Sequence, residues 1–152
     1  MLGFGSTGRQ LTTYINQTRP DVAQIVVACD VAQPQLDLAK ETYGLVTTPS
    51  AAELIAMDLD FVLVASSNHA HAGQVVMAAE AGKHIFCEKP IALSLTEADR
   101  MIAAVETAGV VNVVNNNNFP AFSFFSFLSL PLSLSYLLLK LSNLFTHLIT
   151  NC

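Results

Sequence analysis

Four runs of apolar residues punctuate the chain: residues 24–29 (QIVVAC), 61–65 (FVLVA), 84–87 (HIFC) and 110–114 (VVNVV). A hydrophobic run without polar alternation suits a parallel strand covered on both faces. The stretches between them, near 6–18, 33–43, 50–57, 70–81 and 94–108, are compatible with helices. The last is the most clearly marked. Ser94 can cap its N-terminus, Glu97 completes a capping box, and Gly109 stops it. Leu95, Ala98, Ile102 and Val105 then form the expected apolar stripe. Gly82 similarly closes the helix carrying Gln74, Val75, Ala78 and Ala81. Strands alternating with helices predict an α/β fold with a doubly wound parallel sheet.

The pattern fails at both ends. The loop Gly3-Phe4-Gly5-Ser6-Thr7-Gly8 should follow a strand of about five residues, and only Met1 and Leu2 precede it. Each buried aliphatic missing from a central strand forfeits roughly 1.5–3 kcal/mol. The expectation is therefore a chain that begins late, or a sheet with a shortened first strand at its centre. At the other end, residues 119–139 (FPAFSFFSFLSLPLSLSYLLL) contain no charge. That length suits a bilayer. Pro120, Pro131 and the interspersed serines argue against a crossing, and no clean period is visible. Phe, Ser, Leu and Pro also share pyrimidine-rich codons, as a translated pyrimidine tract would use. Residues 119–152 are thus read as a non-native extension, a membrane segment or a packed helix, and residues 1–118 as the folded domain.

Composition sharpens this division. The chain has 152 residues, 52% of them hydrophobic and 12% charged, with a net charge of -5. It is too apolar for a disordered chain, and no basic footprint for nucleic acid is visible. All 12 acidic residues and all 7 glycines precede Phe119, whereas 6 of the 9 phenylalanines lie at or beyond it. Cys29, Cys87 and Cys152 have neither disulfide-framework nor zinc spacing, and reduced cytoplasmic thiols are the simplest reading. No secretory signal pattern opens the sequence.

Three places carry candidate chemistry. In Gly3-x-Gly5-x-x-Gly8, the glycines suit a tight turn, approach of a pyrophosphate and close helix–strand packing. The amides of residues 5–8 would face that anion at a helix N-terminus. Asp30 ends the next strand, 22 positions after Gly8, close to the ~20 expected of an acid that binds a ribose 2′-hydroxyl. An acid there repels a 2′-phosphate, favouring NAD over NADP. The second place is Ser66-Ser67-Asn68-His69-Ala70-His71, which follows a strand and opens a helix. Strand carboxyl ends are where such sheets bind ligands. Ser67 or Asn68 is expected to cap that helix, and a lone histidine here is more often a capping or packing group than a catalyst. The third is Cys87-Glu88-Lys89-Pro90. A lysine beside a carboxylate can move protons, but spacing alone favours a solvated ion pair in a turn.

These residues resemble the N-terminal half of the Gfo/Idh/MocA oxidoreductase family over residues 1–118, most specifically in DFVLVASSNHAHAGQVVMAAEAGKHIFCEKPIALSLTEADRMI. The resemblance implies a Rossmann domain that binds NAD(P). It implies oxidation or reduction of a hydroxyl or carbonyl on a sugar, polyol or related small molecule. By the same resemblance Lys89 lies near the nicotinamide and helps move the hydroxyl proton. Ser66, Asn68, His71 and Glu88 line the cofactor cleft, and the Lys89–Pro90 bond is cis. Ser67 stands where the family usually has proline. Asn115 to Asn118 stand in a turn that usually carries an arginine. Nothing in residues 121–152 matches the family's substrate domain, so little or no dehydrogenase activity is expected of this chain. A non-catalytic dinucleotide-binding sensor or subunit is the alternative, with the tail as a membrane tether in a weaker version. The substrate and oligomeric state are open.

Overall fold

The computed structural model describes residues 1–18 and 20–115. The elements alternate as follows: α1 (Ser6–Thr18), β1 (Val27–Cys29), α2 (Gln33–Tyr43), β2 (Val46–Thr48), α3 (Ala51–Ala56), β3 (Phe61–Val64), α4 (Asn68–Glu80), β4 (His84–Cys87), α5 (Leu95–Ala108) and β5 (Asn112–Val114). All strand pairs are parallel. β1 pairs with β2, β3 with β4, and β4 with β5. The result is the Rossmann-like α/β arrangement the hydrophobic runs predict. The expected tail, residues 119–152, lies outside the described residues. Among the described residues, no helix is long and apolar enough to cross a membrane.

Leu2 stands at the centre of the sheet. Leu2 bridges Cys29 on one side and Val64 on the other, joining the β1–β2 pair to the β3–β4–β5 sheet. It does so with a full set of ladder bonds. The Leu2 amide donates to Leu63 O at 2.7 Å, and the Ala65 amide donates to Leu2 O at 2.8 Å. On the other side the Cys29 amide donates to Met1 O and the Gly3 amide to Cys29 O, both at 2.8 Å. The Met1 amine itself donates to Val27 O at 2.8 Å. Leu2 is fully buried in a core with Leu54, Val62, Val64, Val75, Ile85 and Met101. A single leucine there supplies roughly 1.5–3 kcal/mol of burial.

Three details depart from the sequence pattern. β2 has no counterpart among the expected strands. Its residues Val46-Thr47-Thr48 are β-branched, but two are threonines and Val46 is exposed, so no apolar run marks the strand. The runs 24–29 and 110–114 contribute to the ladder only at 27–29 and 112–114. The stripe assigned to α5 is rotated. Met101 is its buried residue, flanked by Ala104 and Val105, while Leu95 is 84% and Ile102 51% exposed. The helix packs on α4, and the positions that meet α4 are set by that crossing rather than by the helix's own periodicity. The caps are as expected. The Glu97 amide donates to Ser94 Oγ at 3.2 Å, and Gly109 closes the helix at φ 65°. The Glu97 carboxylate reaches the Leu93 amide, one residue before the cap.

Candidate dinucleotide site

The glycine loop runs from the Leu2 stub into α1, at the carboxyl end of the sheet. Gly3 has φ +86°, and a Cβ there would lie 2.6 Å from Ala65 O, Ser66 N and Ser66 Cα. Gly8 is equally constrained, since its Cβ would stand 2.2 Å from Gly3 O. Gly5 differs: a Cβ there would meet nothing within 4 Å. Two glycines are therefore required by the fold itself. The middle one faces open space beside the amides that begin α1. Ser6 and Thr7 are exposed at this helix start.

Asp30 is tied into the same loop. The Phe4 amide donates to its Oδ2 at 2.7 Å, and the Ala32 amide to its Oδ1 at 2.9 Å. Hydrogen bonds from neutral amides fix the carboxylate while leaving its charge in place. The Phe4 ring is fully buried edge-on against Tyr43, with centroids 5.3 Å apart. The two parts of the fingerprint, 22 residues apart in sequence, are thus in direct contact.

The loops after β3 and β4 leave the same carboxyl edge of the sheet. Ser66 donates its hydroxyl to Gln74 Oε1 at 2.6 Å, so it offers lone pairs rather than a proton to a ligand. Ser67 occupies the N-cap of α4 without a side-chain capping bond, and its hydroxyl instead approaches His69 Nε2 at 3.3 Å. The expected capping by Ser67 is therefore not formed. Asn68 begins the helix and is exposed. His71 is 1% exposed. Its Nδ1 lies 2.8 Å from Pro90 O and its Nε2 3.1 Å from Ser66 O. The ring therefore ties the two loops together from behind. Replacing His71 with Leu should remove the ring's N–H donor from between these two carbonyls and cost about 2 kcal/mol in urea unfolding. A change below about 0.5 kcal/mol, the ordinary surface range, would show that the ties carry no stability.

The Lys89–Pro90 bond is cis, as the resemblance implies. Lys89 is exposed just beyond β4, and Glu88 beside it is buried. The Glu88 amide donates to Val64 O at 2.8 Å, and its carboxylate accepts from Asn115 Nδ2 at 2.6 Å. The solvated Glu–Lys pair favoured by spacing alone is not what forms, because the strand turns the acid inward and the lysine outward. Burial, and then the charge of Glu88, push the Cys87 thiol up to about 12. Burial likewise raises Cys29. Both are inert thiols at neutral pH. Among the described residues no group of His, Cys, Asp or Glu could hold a metal ion. Gln74 and Asn115 were not foreseen as site residues. Gln74 lies within the family-like stretch and Asn115 in the asparagine turn, but the role of each is recognisable only by the side chain it touches.

The family profile described as "oxidoreductase family, NAD-binding Rossmann fold", Gfo/Idh/MocA, matches residues 1–116. The chain belongs to this family. Its described residues form the NAD-binding domain of a Gfo/Idh/MocA oxidoreductase. It is 40% identical over 99 residues to D-apiose dehydrogenase of Paraburkholderia graminis, covering 64% of this chain and 26% of the relative. It is 37% identical over 93 residues to myo-inositol 2-dehydrogenase of Thermotoga maritima, covering 60% and 28%. Among solved structures it resembles the WlbA dehydrogenase of Bordetella pertussis in complex with NADH and UDP-GlcNAcA. That match has TM-score 0.73 and 29% identity, over 77% of this chain and 34% of the other. The chain therefore spans 26% to 34% of the length of these Gfo/Idh/MocA relatives.

Proposed function

We propose that the chain binds NAD in preference to NADP and is the cofactor-binding part of a cytoplasmic dehydrogenase acting on a sugar or polyol. The observation that carries the cofactor preference is the double tie of Asp30. Its charge is fixed at the lip of the glycine loop, where it suits a ribose 2′-hydroxyl and repels a phosphate. The bound nicotinamide supplies the hydride acceptor or donor. The amides at the start of α1 hold the pyrophosphate, and Gly5 admits it. Lys89 sits exposed at the carboxyl end of β4, suited to taking or returning the proton of the substrate hydroxyl at Nζ. His71 is its positioning residue, through Pro90 O. Glu88, Ser66, Ser67 and Asn68 complete the wall. We place the end of the domain near residue 118. The sugar or polyol class rests on what the relatives named above act on, and the compartment on the unpaired Cys29 and Cys87 thiols.

The test is to titrate the chain with NADH and NADPH, following fluorescence. NADH should bind more tightly. Asp30→Arg should weaken NADH by tenfold or more, on the order of one charge-assisted hydrogen bond, and improve NADPH in relative terms. Asp30→Asn, which keeps an acceptor for the Phe4 amide, should narrow the preference without unfolding the chain. Equal affinity for the two cofactors in the unaltered chain would refute the preference.

A further inference from the structure

We propose that Asn115 is a positioning residue, which fixes the Glu88 carboxylate, through a neutral donor, for the ribose of the nicotinamide half. The proposal rests on the dinucleotide lying across the carboxyl ends of the strands. On that path Asp30 and Glu88 fall on opposite sides of the Leu2 stub. Asp30 follows β1 and Glu88 follows β4. Each is a carboxylate held by neutral N–H donors: the Phe4 and Ala32 amides for Asp30, and Asn115 Nδ2 for Glu88. The cofactor has two riboses, and the sheet offers one tethered acid to each side.

The anchoring is rigid. The Asn115 amide donates to Cys87 O at 2.8 Å, extending the β4–β5 ladder by one residue. The Glu88 amide donates to Val64 O at 2.8 Å. Both ends of the side-chain contact therefore stand on the sheet rather than on a free loop. Glu88 is only 8% exposed, and a buried polar group costs free energy unless it is hydrogen-bonded. Asn115 supplies a hydrogen bond at 2.6 Å to Oε1. Oε2 keeps its acceptor capacity for a hydroxyl donor. A cation in place of Asn115 would draw the carboxylate into an ion pair. An amide holds it in place and leaves it available.

The experiment compares ADP, which lacks the nicotinamide half, with NADH. Affinities are measured by calorimetry for the full chain and for Asn115→Ala, Glu88→Ala and the double variant. Asn115→Ala should weaken NADH about tenfold, in keeping with loss of a hydrogen bond to a charged group. ADP should change less than twofold. In the Glu88→Ala background, Asn115→Ala should change NADH less than twofold, because the residue acts through Glu88. Asn115→Asp, which sets two carboxylates against each other, should weaken NADH more than Ala does. It carries the comparison if the Ala variant fails to fold. Equal losses for ADP and NADH, no loss, or an undiminished effect without Glu88 would each overturn the proposal. If the unaltered chain binds neither nucleotide, the dinucleotide reading itself fails, and the proposal with it.

Discussion

Gly8→Ala is expected to lower the stability of the chain by about 4 kcal/mol, with Gly3→Ala close to it, whereas Gly5→Ala should change stability by less than about 0.5 kcal/mol. The three glycines belong to one motif but meet different surroundings. A Cβ on Gly8 would lie 2.2 Å from a backbone oxygen, that of Gly3. A Cβ on Gly3 would strike three backbone atoms of Ala65 and Ser66 at 2.6 Å, at a φ of +86° that L side chains rarely adopt. Backbone cannot swing aside as a flexible side chain does, so the loop, the Leu2 stub or the β3 end must move. The stub joins the two halves of the sheet, which makes that movement costly. At Gly5 a methyl group meets empty space, and its cost should appear in binding. NADH affinity should fall as the methyl blocks approach to the pyrophosphate. Urea unfolding followed by circular dichroism, with NADH titration alongside, separates the three. Gly8→Ala within 1 kcal/mol of the unaltered chain would refute the packing account, since strain of this kind exceeds the surface range.

For the chain bearing a free amine on Met1, stability should rise by about 4 kcal/mol between pH 5 and pH 8. That amine is buried against Val27 O, and burial pushes it from 8.0 down to about 5. Between those values the unfolded chain binds a proton that the folded chain does not. Stability therefore increases with pH through the window and levels off above it. Three pH units at 1.36 kcal/mol each give about 4 kcal/mol. The buried thiols act at the other end. Cys87 is raised from 9.0 to about 12, so its contribution is complete below 9 and is lost as pH climbs toward 12. The stability maximum should accordingly fall near pH 8 to 9. Urea midpoints at pH 5.5, 7 and 8.5 measure it, and a flat or falling series would count against a buried neutral amine.

Much of this domain is legible in its sequence because its strands are buried on both faces. Such strands must be apolar throughout, so FVLVA and HIFC announce themselves. β2 does not, because an edge strand with exposed Val46 has no such requirement. The α5 stripe misleads for a related reason. Leu95 and Ile102 satisfy helical periodicity, but the partner helix decides which side is covered, and it takes the side of Met101. At the site, glycines and a strand-end acid are local signals tied to backbone geometry. The reach of Asn115 to Glu88, across 27 residues, leaves no local trace. His71 illustrates the intermediate case. Its motif places it in the first turn of α4, and packing turns it inward onto two carbonyls.

By itself, then, the sequence determined the strand–helix alternation, the glycine loop with its acid, and the Glu-Lys-Pro turn after β4. Each is dictated by short-range chemistry: solvent exclusion, allowed φ and helix capping. Only the tertiary structure decided which strands flank Leu2, which glycines are packed shut and which is open, and what holds each carboxylate. Those outcomes depend on atoms brought within 3 Å from distant positions. Leu2 takes its place in the sheet because Cys29 and Val64 present ladder groups on both sides of it. No property of Met1 and Leu2 alone contains that fact.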